Sequence, residues 1–301
     1  MTSWRGRALL AFGGLALALG VSELVLRQLV PTTSHDDWVQ TSSDPELGFE
    51  LRPGADLEFD GVTIKIPATH VRVSSQGARG PELALQKPPG VRRLVCIGDS
   101  VAFGWGVGEN QTQCAVLAAT LGPKWEVVNL AVPGYGAAQK RRQLELRGLA
   151  FQPDVVLVQF DQNDRDPPDP QAGSDSIWAW LVDRSAVFRF VHIQLFLNGG
   201  DGPEAPPTFD GEAEVVREFS RMGAICAEAD VPVVVTLRAT DSDSAFIGAL
   251  RERGIPVVDV GPALRGGDPA ALEIPGDGHP TAEGHRRAAA AALAAVKQAA
   301  Q

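Results

Sequence analysis

The chain has few of the residues that build metal sites or disulfide frameworks. Three of its 301 residues are cysteine, Cys96, Cys114 and Cys226, and they lie far apart with no C-x-x-C spacing. That distribution excludes the common zinc-binding patterns, so no metal site is expected. An odd number of cysteines cannot pair completely, and the apolar or helical context of each one favours small buried hydrophobic side chains for all three.

Basic residues are also in the minority. Lys and Arg together number 27 against 37 Asp and Glu, which gives a formal net charge of −10, and they form no block. Because an acidic surface repels phosphates, we expect no nucleic-acid partner. The hydrophobic fraction of 44% is that of a globular protein, and the length suits one sizeable α/β domain with additional pieces.

The N-terminus lacks an uninterrupted run of the about 20 apolar residues that span a bilayer comfortably. The apolar run Ala8–Val21 follows Arg5 and Arg7, and lengthening it takes in Glu23. Basic residues before such a run favour an uncleaved signal-anchor over residues 1–30, which holds the protein at a membrane with its body outside the cytoplasm, periplasmic or extracellular. A cleaved signal peptide with secretion and a buried amphipathic helix of a cytosolic protein are the alternatives.

Residues 31–90 form a second region with a different pattern. Residues 31–45 are polar and predict a linker. Three short segments then alternate apolar and polar residues, separated by Gly, Pro and Asp: Phe49–Arg52, Val62–Ile66 and Val71–Val73. We therefore expect a small β-rich lead-in of antiparallel strands packed on the main domain.

Residues 91–301 alternate short apolar runs with helical patterns. The predicted strands are Leu94–Ile97, Glu126–Leu130, Asp154–Phe160, Val231–Leu237 and Ile255–Val260. The helical patterns lie near Gln111–Leu121, Ala137–Leu149, Gly211–Glu228, Ser244–Arg253 and Ala282–Ala299. This order predicts an α/β fold, a flavodoxin-like three-layer α/β/α sandwich with a five-stranded parallel sheet. Residues 165–210 interrupt the order and predict a helical insertion that covers the active-site edge.

Polar residues follow the predicted strands where each strand ends. In an open parallel sheet, ligands bind beyond these carboxyl ends, so the residues converge on one rim. They supply the parts of an acyl-transfer site. We predict Ser100 as the nucleophile, His279 as its general base and Asp277 as the acid that orients the histidine. The backbone N–H groups of Ser100 and Gly134 and the side-chain amide of Asn163 are the predicted oxyanion-hole donors.

Each of these residues alone is an ordinary turn or cap residue, and the prediction depends on their order and common placement. Asp99 is expected to fix the nucleophile loop by local hydrogen bonds. The remaining histidines are interpreted as structural or solvent-facing: His35, His70, His192 and His285.

At these positions the sequence resembles the SGNH (GDSL-type) hydrolases. The four matching blocks occur in order at Gly98–Gly106, Asn129–Gly136, Gln162–Asp164 and Asp277–His285. The resemblance implies a flavodoxin-like sandwich that needs no metal or cofactor and hydrolyses or transfers acyl esters, often acetyl groups on carbohydrate. The segment Ser74–Pro81 also resembles the lead-in of exported, membrane-anchored bacterial members.

Two positions depart from the family pattern. The triad acid usually lies three residues before the histidine, where this chain has Gly276, and Asp277 lies two before it. The resulting D-x-H spacing of Asp277 and His279 resembles the spacing in polysaccharide O-acetyltransferases. Gln162 stands where glycine is usual, next to Asn163.

Three functions follow as hypotheses. The first is a serine esterase that acts on a small ester or an acylated carbohydrate. The second is an O-acyltransferase that acts on a cell-envelope glycan, suggested by the D-x-H spacing and the predicted anchor. The third is a binding domain that has kept the fold without catalysis.

Overall fold

The computed structural model describes residues 4–29, 35–59, 66–167, 181, 184–192, 209–240, 243–266 and 268–301. Within these ranges, the elements of the N-terminal region are α1 (Trp4–Leu26), α2 (His35–Trp38), β1 (Val39–Thr41), β2 (Phe49–Leu51), β3 (Asp56–Phe59) and β4 (Thr69–Arg72). Strand β1 pairs antiparallel with β2, and β3 pairs antiparallel with β4.

A five-stranded parallel sheet in the order β6-β5-β7-β8-β9 forms the centre of the molecule. Its strands are β5 (Arg92–Ile97), β6 (Trp125–Asn129), β7 (Val155–Gln159), β8 (Val233–Leu237) and β9 (Val257–Asp259). Every residue of β7 and β8 is buried. Continuous apolar strands of this kind need helices on both faces of the sheet, as the sequence predicted.

Nine helices lie among the described residues that follow β5. They are α3 (Ser100–Phe103), α4 (Gln113–Leu121), α5 (Ala137–Gln143), α6 (Ala186–His192), α7 (Gly211–Glu228), α8 (Ser244–Glu252), α9 (Gly261–Leu264), α10 (Pro269–Leu272) and α11 (Ala282–Ala299). After α5 the chain continues as a π-helical turn over Leu144–Gly148 and a 3-10 turn over Leu149–Phe151. The single helix predicted over Ala137–Leu149 is therefore divided.

The two sides of the sheet have separate cores, because successive strand residues point to opposite faces. Val95 and Ile97 of β5 belong to the core that contains buried residues of α5, α7 and α8. Leu94 and Cys96 belong to the core that contains buried residues of α4 and α11. The α/β/α sandwich is thus confirmed, with the flavodoxin-like arrangement of layers.

The cysteines differ from the expectation. Cys96 of β5 and Cys114 of α4 form a disulfide, with their Cα atoms 6.5 Å apart, and Cys226 is free and buried. The interpretation of all three as unpaired small hydrophobic residues is therefore wrong for Cys96 and Cys114. The two residues meet because α4 folds back over the face of the sheet to which Cys96 points, a proximity that their 18-residue separation does not reveal.

The β-rich lead-in packs against the segment that follows Ser100. Trp38 and Phe59 belong to one aromatic cluster with Phe103 and Trp105, and the Phe59 and Trp105 ring centroids are 4.9 Å apart. Residues 35–41, expected within a polar linker, instead form α2 and β1, since Trp38 offers a large apolar surface that is 2% exposed. The predicted strand Val62–Ile66 lies outside the described residues except for its last residue.

The N-terminal helix α1 leaves its apolar side chains at the surface, with Leu10 and Phe12 each 72% exposed. Near its end, the Glu23 carboxylate accepts hydrogen bonds from the backbone N–H groups of Ala186 and Val187, so it caps α6. Helix α6 lies in the predicted insertion over residues 165–210, most of which lies outside the described residues. Within the part of the chain that the structure describes, no helix combines the length and apolarity needed to cross a membrane.

Candidate active site

Ser100 is the first residue of α3, three residues after the end of β5. The side chain of Asp99 caps this helix, since its Oδ1 accepts a hydrogen bond from Val101 N at 2.9 Å. A Cβ on Gly98 would lie 2.4 Å from the Cβ of Ala102, so only glycine allows the loop to pack this closely on α3. Local hydrogen bonding by Asp99 and the tight turn together place Ser100 at the carboxyl end of the sheet.

The structure brings Ser100, His279 and Asp277 into one chain of hydrogen bonds. His279 Nε2 is 2.7 Å from Ser100 Oγ, and His279 Nδ1 is 2.6 Å from Asp277 Oδ1. When the Asp277 carboxylate is ionised it only accepts hydrogen bonds, and this arrangement then requires the proton on Nδ1 and directs the Nε2 lone pair at the serine hydroxyl. This is the tautomer in which a histidine can take a proton from serine.

A tight turn explains how Asp277 reaches His279 from two residues away. Ile274 O accepts hydrogen bonds from both Asp277 N and Gly278 N, and Gly278 adopts a left-handed φ of +93°. Asp277 Oδ1 also accepts a hydrogen bond from His279 N at 3.2 Å. The carboxylate therefore holds both the main chain and the ring of His279.

Two further loops lie at the same rim. Gly134, between β6 and α5, has a φ of +86°, a left-handed conformation that glycine adopts without strain. Asn163 belongs to a 3-10 turn over Gln162–Arg165, which follows the N-cap residue Asp161 shortly after the end of β7. The main-chain oxygen of Asn163 is 3.6 Å from the position that a Cβ on Gly136 would take, so the two loops are adjacent.

Two of the donors expected in the oxyanion hole, the backbone N–H groups of Ser100 and Gly134, donate to no acceptor among the described residues. At Asn163 it is the amide oxygen Oδ1, an acceptor, that is buried without a partner. The unusual Gln162 does not disturb this turn, since its side chain turns away and accepts a hydrogen bond from Arg165 at 2.8 Å. The four loops thus leave hydrogen-bonding groups available beside Ser100.

Sequence reasoning missed a buried charged cluster beneath these loops. Lys140 of α5 is 0% exposed, and its Nζ lies 3.0 Å from Asp99 Oδ2 and 2.6 Å from Asp164 Oδ2. Burial lowers the pKa of Lys140, but Asp164 and Asp99 outweigh that effect and raise it above its ordinary value. Burial, with Asp99 nearby, raises the pKa of Asp164 to about 7. In the sequence, Lys140 begins a basic triplet that is typical of a solvated helix face.

The other histidines lie apart from this chain of hydrogen bonds. His285 is 1% exposed, its Nδ1 accepts a hydrogen bond from Gln113 N, and burial lowers its pKa to about 4, so it is neutral and structural. His70 pairs with Asp56 on the exposed hairpin. His35 and His192 lie in α2 and α6.

Comparisons with known proteins find a family model and solved structures to which this chain is similar. Residues 96–287 match the family model described as GDSL-like Lipase/Acylhydrolase family. A search of curated proteins finds no match. Similar solved structures include a lipolytic protein of the G-D-S-L family from Desulfitobacterium hafniense DCB-2. It is 17% identical, the match covers 67% of this chain and 98% of that chain, and the TM-score is 0.46.

Two other similar structures were found. A member of the lipolytic protein G-D-S-L family from Veillonella parvula DSM 2008 is 16% identical, with 69% of this chain and 100% of that chain covered and a TM-score of 0.45. A catalytic mutant of an acetylxylan esterase from Geobacillus stearothermophilus is 17% identical, with 69% and 95% covered and a TM-score of 0.44. The family assignment rests on the family model, which matches well over half of the chain. The chain belongs to the GDSL-like lipase and acylhydrolase family and is an ester-hydrolysing enzyme.

Proposed function

We propose that the protein is a serine esterase that acts through Ser100, His279 and Asp277 on a small ester or an acylated carbohydrate. The observation that carries the proposal is the unbroken contact from Ser100 Oγ through His279 to Asp277, with 2.7 Å and 2.6 Å links. The His279 side chain is 24% exposed, so a substrate from solvent can reach it.

In the proposed reaction, Ser100 Oγ attacks the ester carbonyl carbon while its proton moves to His279 Nε2. The resulting imidazolium is stabilised by the Asp277 carboxylate, which stays ionised. His279 then gives the proton to the leaving alkoxide, so an alcohol departs and an acyl group remains on Ser100. A water molecule attacks this ester by the same route, with His279 as base, and releases the acid and free Ser100.

The tetrahedral intermediate places a negative charge on the former carbonyl oxygen. We assign its stabilisation to the backbone N–H groups of Ser100 and Gly134 and to the side-chain amide of Asn163. The absence of a competing acceptor for the two backbone N–H groups among the described residues supports their part in this assignment. Loss of one such donor typically costs about 3 kcal/mol of transition-state stabilisation.

A labelling experiment tests the nucleophile directly. The purified full-length protein should hydrolyse 4-nitrophenyl acetate and react with a fluorophosphonate probe, and peptide mapping should place the probe on Ser100. The Ser100→Ala variant serves as the control for background hydrolysis and labelling. A wild-type protein that shows no turnover and no labelling would refute the proposed esterase.

The Asp277–His279 spacing favours a second candidate, an O-acyltransferase that acts on a cell-envelope glycan. Transfer and hydrolysis share the acyl-Ser100 step and differ in whether a glycan hydroxyl or water attacks it. An acyl donor supplied together with a glycan acceptor should yield acylated glycan in excess of free acid if transfer is the function. Free acid alone, at a rate independent of acceptor concentration, supports the esterase.

We infer that the protein works outside the cytoplasm and is held at a membrane by its N-terminal segment. Two observations support this location. Disulfides persist in oxidising compartments, and Cys96 and Cys114 are paired. In addition, α1 exposes a series of large apolar side chains behind the basic residue Arg7.

Fractionation of cells that express the full-length chain tests this location. The protein should sediment with membranes, and external protease should digest it in spheroplasts. Recovery in the soluble periplasmic or culture fraction without residues 1–30 indicates signal cleavage instead. Recovery in the cytosol with both cysteines reduced refutes an exported protein.

A further inference from the structure

The buried cluster around Lys140 connects the loops that carry the proposed catalytic groups. All three protons of the Lys140 ammonium group have acceptors: Asp99 Oδ2 at 3.0 Å, Gln159 O at 3.1 Å and Asp164 Oδ2 at 2.6 Å. Taking an ammonium group out of water costs several kcal/mol unless its partners are close and well oriented. A fully buried Lys140 is therefore stable only while its three acceptors stay close to the ammonium group.

Each carboxylate partner of Lys140 also supports one of these loops. Asp99 uses its second oxygen to cap α3, whose first residue is Ser100. Asp164 Oδ2 accepts a second hydrogen bond from Asp161 N at 2.9 Å, which closes the turn that contains Asn163. One ammonium group therefore connects the nucleophile loop to the loop of a proposed oxyanion donor.

The third loop is connected through the helix that bears the lysine. Lys140 is in the first turn of α5, whose N-cap is Gly136, and its backbone N–H donates to Gly136 O at 3.0 Å. Gly134 lies two residues before that cap. A displacement of Lys140 thus acts on Ser100, Gly134 and Asn163 together, although none of them touches it.

We propose that Lys140 is a positioning residue that sets the location of Ser100 relative to the oxyanion donors. This inference rests on the proposed esterase function and adds a residue that does not contact the substrate. Oxyanion contacts strengthen in the transition state, when the carbonyl oxygen becomes charged. Misplaced donors should therefore lower kcat while leaving KM nearly unchanged.

The chain offers a matched control for the general effect of removing a buried cation. Arg93 is also 0% exposed, pairs with Glu126 at 2.8 Å, and donates to main-chain oxygens including that of Phe151. It lies near the start of β5, whereas Ser100 follows the end of that strand. Arg93→Met should lower stability and leave kcat of the folded protein within about threefold of wild type.

The experiment compares Lys140→Met, Lys140→Met/Asp164→Asn and Arg93→Met in the full-length protein. The double variant removes one buried carboxylate together with the ammonium group, so it keeps the cluster closer to charge balance. Folding is checked by near-ultraviolet circular dichroism, active sites are counted with the fluorophosphonate, and kcat and KM are measured with 4-nitrophenyl acetate. We expect both Lys140 variants to lose about 10²-fold in kcat with KM changed less than threefold, the size of losing one oxyanion contact.

The outcomes separate this inference from the proposed function. Suppose that the wild-type enzyme labels at Ser100 and that the Lys140 variants fold with a kcat within threefold of wild type. This result overturns the positioning role and leaves the proposed esterase standing. If both Lys140 variants fail to fold while Arg93→Met folds, Lys140 serves the stability of the fold, and the proposal is overturned. Absence of turnover and labelling in wild type refutes the esterase and this inference with it.

Discussion

The contact between Asp277 and His279 leads to a sharp prediction for the variant Asp277→Asn. Asparagine has nearly the same shape as aspartate and can still accept the hydrogen bond that His279 N donates at 3.2 Å. It replaces the charged acceptor of His279 Nδ1, 2.6 Å away, with a neutral amide. The substitution therefore tests the charge and orientation of the acid with little change in packing.

The size of the effect can be worked out from this geometry. Both side chains are partly shielded from water, with 24% of His279 and 17% of Asp277 exposed. Opposite charges about 4 Å apart in an effective dielectric of about 20 attract by about 4 kcal/mol. Removing that attraction from the imidazolium form of His279 slows the reaction about 10³-fold. Both contacts of His279 use Oδ1, so an amide turned to direct its N–H at Nδ1 gives up the hydrogen bond from His279 N. That orientation would also favour the wrong tautomer, for a total loss of about 10³- to 10⁴-fold.

The assay is kcat/KM for 4-nitrophenyl acetate, with the Ser100→Ala background subtracted. The control is Asp161→Asn, because Asp161 is the other carboxyl whose charge interacts with His279, although the two share no hydrogen bond among the described residues. Its side chain accepts a hydrogen bond from Gln162 N, which asparagine can also accept. If kcat/KM falls less than tenfold in Asp277→Asn and falls strongly in Asp161→Asn, Asp277 is not the acid that orients His279.

Three further variants test other parts of the structure. The pKa of Asp164 is raised to about 7 from 3.8, mainly by burial, so its stabilisation of the fold is present below pH 3.8 and is lost as pH rises through 7. Asp164→Asn should flatten this fall in the free energy of unfolding, measured in urea from pH 4 to 8, and an unchanged slope would contradict the burial argument. Replacing Cys96 and Cys114 with alanine should lower the free energy of unfolding by about 3 kcal/mol, from the chain entropy of an 18-residue loop, and equal stability would argue against the disulfide. Gly98→Ala forces its Cβ to 2.4 Å from a side chain of α3 and should slow fluorophosphonate labelling more than tenfold. The control Gly248→Ala, whose Cβ meets no atom within 4 Å, should leave labelling unchanged. Equal labelling rates in the two variants would contradict the close-packing argument.

Much of the fold follows from local patterns in the chain. The apolar runs that became β7 and β8 are fully buried, so their composition already indicates a sheet covered on both faces. The rule that ligands bind at the carboxyl ends of parallel strands then brings together Ser100, Gly134 and Asn163. These predictions depend on periodicity and order, which a sequence contains directly.

Other features depend on contacts between distant segments, and the sequence contains no local signal for them. The pairing of Cys96 with Cys114 requires the position of α4 on the sheet. Lys140 lies in a run of basic residues that is typical of a solvated face, yet it is fully buried, because two carboxylates and a main-chain oxygen replace its hydration shell.

The sequence by itself determined the order along the chain of the five parallel strands and of the long helices between them, the candidate nucleophile and base, and the absence of an acid three residues before His279. Only the tertiary structure decided that Asp277 supplies the carboxylate at that histidine, through a turn with a left-handed glycine at 278. The physical reason is that local patterns report which face of an element is apolar, whereas hydrogen-bond geometry depends on backbone dihedrals and on neighbours far away in the chain.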